Sequence, residues 1–126
     1  MIYILKALGH ENRLRLLNLL KQKKFCVCEL RNIMDINQSN ASRHLAKLKA
    51  AGLVDFEKNE QWVYYFINQD IFLKFPFLEK LIKDELKKLK ICQIDEKKAL
   101  IYADSQVSCE ELDESNIFTK QNIGGN

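Results

Sequence analysis

Two cysteines separated by a single residue are the pair in this sequence best suited to bind a soft metal or metalloid. Cys26 and Cys28 flank Val27, and Lys23 and Lys24 come just before them. Thiolates bind soft metals and metalloids, and cations near the start of a helix lower a cysteine pKa toward the thiolate form. In a regular helix, residues i and i+2 point about 200° apart, so both sulfurs reach one ion only if that turn unwinds. The pair therefore predicts a soft-ion site whose occupation deforms its own helix.

Two further cysteines, Cys92 and Cys109, bring the total to four. An even number can signal disulfides, but Cys26 and Cys28 are too close to bridge comfortably, and no signal-peptide pattern opens the chain. Reduced thiols in a cytoplasmic protein are the better interpretation. No run approaches the roughly 18 apolar residues of a membrane span, so no membrane partner is expected.

Charge is distributed unevenly along the 126 residues. Residues 1–91 carry 17 Lys and Arg against 10 Asp and Glu, whereas residues 92–126 carry 3 against 7. A basic body is typical of a domain that binds a polyanion. We therefore expect a nucleic-acid-binding and dimerisation domain over 1–91. An acidic C-terminal extension over 92–126 should follow, partly disordered after 109.

Hydrophobic periodicity organises the basic part into short helices and one hairpin. Helical spacing covers residues 2–8, 13–20, 27–34, 38–51 and 76–91. Asn12 and Asn37 are the expected N-caps, and Gly52 is the stop after the fourth helix. The period then changes to two, so 53–57 and 62–67 predict a hairpin. Residues 99–103 fit helix or strand. The fold class is mainly α with a small β-hairpin, and this order of elements is that of a winged helix-turn-helix.

The helix over 38–51 has a face suited to DNA. If Ala41, Leu45 and Leu48 turn inward, the outward residues are short, polar or basic. Arginine can hold guanine with two hydrogen bonds, whereas Ser, Asn and Gln reach phosphates or base edges. The alternative is an ordinary solvated helix face, but the order of elements favours DNA reading.

Three segments resemble the ArsR/SmtB family of metal-responsive repressors. Residues 37–48, followed by Ala-Gly-Leu-Val at 51–54, resemble its recognition helix, whose pattern is Ser-Arg-His-Leu, two residues, Leu and then Ala/Ser-Gly-Leu-Val. Residues 8–17 and 62–65 resemble its first segment and its returning wing strand. The wing tip departs from the family, since Asn59-Glu60 replaces a commonly Gly-containing, basic turn.

The resemblance implies a homodimeric repressor of double-stranded operator DNA, and not an enzyme. It implies DNA contacts by Gln38, Ser39, Asn40, Ser42, Arg43, His44 and Lys47, with His44 either reading DNA or packing helices.

The thiol segment carries a resemblance of its own. Residues 26–30, Cys-Val-Cys-Glu-Leu, resemble the Cys-Val-Cys-Asp-Leu motif of the thiolate-sensing branch of this family. The implied inducers are arsenite and antimonite, with cadmium and lead as further candidates. The arsenic-sensing relatives place a third Cys where this chain has Arg31, so Cys92 or Cys109 would complete the site. The zinc-sensing branch of this family binds its ion through Asp and His pairs on the last helix. Zinc is not expected here, because residues 70–91 contain no His.

A hydrophobic stripe predicts how two copies would associate. Its members are Phe75, Leu78, Ile82, Leu86 and Leu89, joined by Ile2, Leu5 and Leu8. A two-fold interface built from them would place two recognition helices about one DNA turn apart. Burial within a single chain is the alternative for the same residues.

Two other functions use the same cysteines. One is a winged-helix repressor that senses redox state or an organic thiol reagent rather than a metal. The other is a thiol-based metal carrier or oxidoreductase without DNA binding. Cys-x-Cys is rarer than Cys-x-x-Cys in such enzymes, and no thioredoxin-like βαβ pattern surrounds it, so the sequence favours a regulator.

Overall fold

The structure, a computed structural model, describes residues 1–105 and the side chains of residues 1–103. Within this part the elements follow in the order α1 Ile2–Leu8, α2 Glu11–Leu20, β1 Phe25–Cys26, α3 Val27–Met34, α4 Gln38–Ala50, β2 Val54–Asn59, β3 Trp62–Ile67, α5 Ile71–Lys74, α6 Phe77–Lys80 and α7 Lys90–Ser105. A wide π-helical turn (Leu81–Glu85) and a tight 3₁₀ turn (Leu86–Lys88) continue α6. None of these helices is long and apolar enough to cross a membrane.

Helix α2 lies at the centre of the core. Leu16, Leu17, Leu19 and Leu20 are all buried, and they pack within one cluster that includes the inner faces of α3 and α4. Those inner faces are the predicted ones: Leu30, Ile33 and Met34 on α3, and Ala41, Leu45 and Leu48 on α4. The helical period alone identified them correctly.

One of the two predicted helix caps is correct. The Oδ1 atom of Asn37 accepts the backbone N–H of Asn40 at 2.8 Å and caps α4. The cap of α2 is His10 rather than Asn12, because the helix begins at Glu11. The Nδ1 atom of His10 accepts the backbone N–H of Asn12 at 3.1 Å. The imidazole of His10 thus serves as the N-cap acceptor, a position usually occupied by Ser, Thr, Asp or Asn.

The sheet has three antiparallel strands in the order β1-β3-β2. The predicted hairpin is confirmed, with Val54 opposite Ile67 and Asn59 opposite Trp62. Strand β1 was not predicted, since two residues are too few to show a period. Cys26 of β1 lies opposite Tyr64 of β3, so the thiol segment is joined directly to the wing.

The C-terminal part differs from the predicted single helix over 76–91. Leu89 has an extended backbone (ψ 132°) that separates the turns after α6 from α7. Three members of the hydrophobic stripe, Leu78, Ile82 and Leu86, are buried in the chain's own core, whereas Leu89 stays 41% exposed. The stripe as a whole therefore cannot be the interface between copies, and the alternative of intramolecular burial is correct for its centre.

Helix α7 also crosses the expected domain boundary at 91/92. Cys92 and Asp95 are wholly buried, and α7 packs on α2 and α3. Residues 99–103 are helical. The start of the acidic extension is thus part of the same core, while the disorder expected after 109 lies outside the described residues.

Candidate nucleic-acid interface and thiol site

The outer face of α4 is exposed, polar and free of acidic side chains. Ser39, Ser42, Arg43 and Lys47 all lie at the surface, above the buried Ala41, Leu45 and Leu48. The Nη2 atom of Arg43 donates to Oδ1 of Asn40 at 2.8 Å, which holds the guanidinium along the face. Gln38 is exposed in the first turn. Such a face can accept the walls of a DNA groove and its phosphates.

His44 is the exception among the predicted DNA contacts. Its side chain is 4% exposed, its ring lies 4.3 Å from that of His10, and its Nδ1 is 3.3 Å from Nη1 of Arg13. Arg13 Nε in turn donates to the carbonyl of Ala7 at 2.6 Å. Burial, reinforced by the nearby cations, lowers the pKa of His44. Of the two roles left open for His44, helix packing is the one this burial supports.

A basic recess of about 360 Å³ adjoins this face. Lys6 of α1 and Arg13 of α2 line it together with Lys47, and no acidic residue is among its lining residues. Lys6 was not among the predicted DNA contacts, because nothing in the local sequence places α1 beside the end of α4. The recess extends the positive surface beyond α4.

Cys26 occupies a junction rather than a helical turn. It ends β1 and serves as the N-cap of α3 in an extended conformation (φ −85°, ψ 166°). A capping box holds it there: its side chain accepts the backbone N–H of Glu29, and Oε1 of Glu29 accepts the backbone N–H of Cys26 at 2.9 Å. Cys28 lies within the first turn of α3, and its Sγ is 3.6 Å from Nδ2 of Asn32. The expected picture of two cysteines in one regular turn is therefore corrected for Cys26.

The expected lowering of the cysteine pKa is also wrong for Cys26. Burial raises the pKa of this thiol to about 11, although backbone N–H donors of Glu29 and Cys28 act in the opposite direction. The side chain is 4% exposed, so desolvation of the thiolate dominates. Lys23 and Lys24 lie over the rings of Phe25 and Phe66.

The redox states of the described cysteines differ. Cys28 is disulfide-bonded, which differs from the expected reduced thiol, whereas Cys26 and Cys92 take part in no disulfide. A soft ion binds the thiolate, so Cys28 must be reduced before it can act as a ligand.

Glu29 connects the thiol segment to the C-terminal helix. Its second carboxylate oxygen, Oε2, accepts a hydrogen bond from the Tyr102 hydroxyl of α7. Burial, together with this bond, raises the pKa of Tyr102, so the phenol stays protonated and donates. Neither Glu29 nor Tyr102 was among the predicted site residues. A glutamate three residues after an N-cap is a recognisable signal, but the cap here is a cysteine rather than Ser or Thr.

The third ligand is not assembled in the described part of the chain. Cys92 is wholly buried at the start of α7, and its backbone carbonyl accepts a long hydrogen bond from Asn18. No three His, Cys, Asp or Glu residues among those described gather closely enough to hold a metal. Cys26 and Cys28 are the neighbouring thiol positions, and Cys109 lies outside the described residues.

Known proteins resemble this chain in sequence and in fold. Residues 10–55 match the family model described as "Bacterial regulatory protein, arsR family". The chain is 38% identical over 82 residues to the cadmium resistance transcriptional regulatory protein CadC of Listeria innocua, covering 64% of this chain and 69% of that protein. It is 35% identical over 69 residues to the arsenic resistance transcriptional regulator ArsR1 of Pseudomonas putida, covering 54% of each. The homodimeric winged helix-turn-helix DNA-binding domain of a possible ArsR-family regulator from Mycobacterium bovis matches with a TM-score of 0.56 and 28% identity, covering 71% of this chain and 83% of that one.

Proposed function

The chain belongs to the ArsR family of bacterial regulatory proteins, and from that premise we propose a specific function for it. It is a DNA-binding transcriptional repressor that leaves its operator when a thiophilic metalloid or metal binds Cys26 and Cys28. The observation that carries this proposal is the position of Cys26. Its side chain caps α3 of the helix-turn-helix, while its backbone pairs with Tyr64 of the wing.

DNA reading is assigned to α4. Its exposed face presents Arg43 and Lys47 with no competing carboxylate on the helix, and α3 supports it from behind. Arg43 is the best candidate for a two-point contact with guanine, whereas Lys47 is suited to a phosphate. The remaining predicted contacts are Gln38, Ser39, Asn40 and Ser42.

We propose that the protein acts as a homodimer in the cytoplasm, where its operator DNA lies. The single chain leaves several large apolar side chains of α1, α5 and α6 exposed: Ile2, Tyr3, Leu5, Leu73 and Phe77. The related domain from Mycobacterium bovis is homodimeric. Pairing through this apolar surface would present two copies of α4 to successive turns of the DNA.

The geometry of Cys26 supports coupling between the thiols and DNA. We infer that the sulfur of Cys26 leaves the capping box when it shares an ion with Cys28, because the cap keeps this sulfur against the N–H of Glu29. Leaving the cap frees the start of α3 and loosens the pairing of β1 with the wing. Coupling of this kind between two sites is typically worth about 1–3 kcal/mol.

The effector is proposed from the chemistry of the two sulfurs and from the relatives. Thiolate ligands suit arsenite and antimonite, and also cadmium and lead. One relative is a cadmium resistance regulator and another an arsenic resistance regulator. Arsenite or antimonite is the first choice here because of the Cys-Val-Cys motif, and zinc is not proposed.

The test is release of DNA by the reduced, full-length protein. Fluorescence anisotropy of DNA from upstream of its own gene reports binding, and arsenite, cadmium and zinc are titrated in separate experiments. We expect arsenite to release the wild type, zinc to have little effect, and the variants Cys26→Ser and Cys28→Ser to bind DNA but to resist arsenite. Normal release from Cys28→Ser would refute the thiol switch.

A redox-sensing repressor is the second candidate, favoured by the disulfide state of Cys28. The two functions separate under full reduction. Arsenite then releases DNA only if soft-ion binding is the trigger. After the reductant is removed, peroxide releases DNA without any metal only if thiol oxidation is the trigger.

A further inference from the structure

Helix α7 is linked to both ends of α3, directly at the N-terminal end and through Arg15 of α2 at the C-terminal end. At the N-terminal end, the Tyr102 hydroxyl donates to the carboxylate of Glu29. At the C-terminal end, Asp95 holds Arg15, and Nη2 of Arg15 donates to the backbone carbonyl of Met34 at 3.0 Å. Because α3 lies between these two attachments, α7 sets the position of the helix that carries the thiols.

Glu29 shares its carboxylate between the cap and α7. Its Oε1 accepts the backbone N–H of Cys26 at 2.9 Å, and its Oε2 accepts the hydroxyl of Tyr102. Hydrogen bonds to a carboxylate are stronger than those between neutral groups, so the bond from Tyr102 restricts rotation of the Glu29 side chain. Half of the capping box around Cys26 thus depends on Tyr102, which lies 73 positions after Glu29 in the chain.

We propose that Tyr102 is a positioning residue for the thiol site. Through Glu29 it keeps Cys26 in its buried, capped conformation, and it thereby sets how readily the sulfur of Cys26 becomes available to a soft ion or to a thiol reagent. The proposal rests on the proposed function only in treating Cys26 as part of the sensor. The connection from Tyr102 to Cys26 needs no inducer.

Alkylation of two buried cysteines in one protein tests this directly. The full-length, reduced protein carries Cys28→Ser and Cys109→Ser, so that Cys26 and Cys92 remain. Iodoacetamide is the reagent, and mass spectrometry follows each cysteine. Both are nearly or wholly inaccessible (4% and 0% exposed), so each reacts only after local opening.

We expect Tyr102→Phe to accelerate alkylation of Cys26 about tenfold, the factor equivalent to about 1.4 kcal/mol, which is typical of one hydrogen bond. Cys92 should react at its original rate.

Two controls separate positioning from general loosening. Tyr65→Phe removes the hydroxyl group of a half-buried tyrosine in the wing, and it should leave the alkylation rates of Cys26 and Cys92 unchanged. Glu29→Gln should accelerate alkylation of Cys26. Adding Tyr102→Phe to Glu29→Gln should change this rate little further, because both substitutions act on the hydrogen bond between Tyr102 and Glu29. The proposal is overturned if Tyr102→Phe leaves the alkylation rate of Cys26 unchanged, or if it raises the rates of Cys26 and Cys92 equally. It is also overturned if the effects of Tyr102→Phe and Glu29→Gln on the Cys26 rate add in full.

A parallel DNA-release titration distinguishes this proposal from the proposed function. With the native cysteines, Tyr102→Phe should lower the arsenite concentration for half-release by a similar factor of about ten. If Tyr102→Phe accelerates alkylation of Cys26 but neither arsenite nor cadmium releases the wild-type protein from DNA, the proposed function fails and the positioning role stands. If arsenite releases the wild type but Cys26 alkylation is unchanged in Tyr102→Phe, the positioning role fails alone.

Discussion

Arg15 of α2 and Asp95 of α7 form a two-point ion pair inside the core. The Nε–Oδ2 and Nη2–Oδ1 distances are both 2.8 Å, with Asp95 wholly buried and Arg15 8% exposed. The hydrogen bond to Asp95 raises the pKa of Arg15. Further donors of the same guanidinium reach Oδ1 of Asn12 and the carbonyl of Met34, each at 3.0 Å. One arginine therefore joins α2, α7 and the end of α3.

Removing the carboxylate of this pair should destabilise the fold strongly. We expect Asp95→Ala to lower the free energy of unfolding by about 3–5 kcal/mol, because it leaves the guanidinium of Arg15 buried without its partner. Urea denaturation measures the loss. The control is Glu79→Ala, which breaks the exposed pair with Lys83 and should cost about 1 kcal/mol or less. Equal losses for the two variants would contradict a structural role for the buried pair.

Arg43 should determine part of the DNA sequence preference. We expect Arg43→Ala to weaken operator binding by about 1–3 kcal/mol and to relax the preference at one base pair, because a two-point contact with guanine is lost. Binding to the operator and to its single-base variants measures both effects. Lys80→Ala, an exposed lysine on α6, serves as the control. A loss that is the same on every DNA sequence would instead assign Arg43 to a phosphate.

His44 should make stability depend on pH. Burial in the folded state lowers its pKa from the ordinary value of 6.5, so the unfolded chain takes up the proton more readily. By linkage, the contribution to stability is present in full above about pH 6.5, and it decreases as the pH falls from there through the lowered pKa. Urea midpoints between pH 8 and pH 5 measure the decrease. His44→Gln should flatten the profile, and an unchanged slope would show that other groups cause it.

Cys92 should not be a ligand of the effector. It is wholly buried, and among the described residues it does not gather with Cys26 and Cys28 closely enough to hold an ion. We expect Cys92→Ala to release DNA at an arsenite concentration within about twofold of the wild type, while Cys26→Ser does not respond. The DNA-release titration compares them directly. Loss of the response in Cys92→Ala, with a normal urea midpoint, would place Cys92 in the site.

The elements of the helix-turn-helix followed from local periodicity. Leu30 and Ile33 of α3, and Leu45 and Leu48 of α4, were identified as inward-facing from the helical period, and the hairpin from its alternation. Local signals of this kind survive folding because neighbouring residues on one helix face or one strand share the same environment. The family resemblance rested on the same segments, and it was confirmed. The DNA contacts and the two sulfur ligands stay predictions.

Tertiary structure decided what surrounds these elements, because it depends on contacts between distant segments. Strand β1 is too short to predict, yet its pairing with β3 joins Cys26 to the wing. The contacts of Tyr102 with Glu29 and of Asp95 with Arg15 span 73 and 80 residues, a separation that no periodic pattern reports. The pKa of Cys26 moved opposite to expectation for the same reason: the lysines beside it were visible in the sequence, but its burial was not. Sequence alone therefore determined which residues can do the chemistry, and the packing of α7 and β1 decided how tightly they are held.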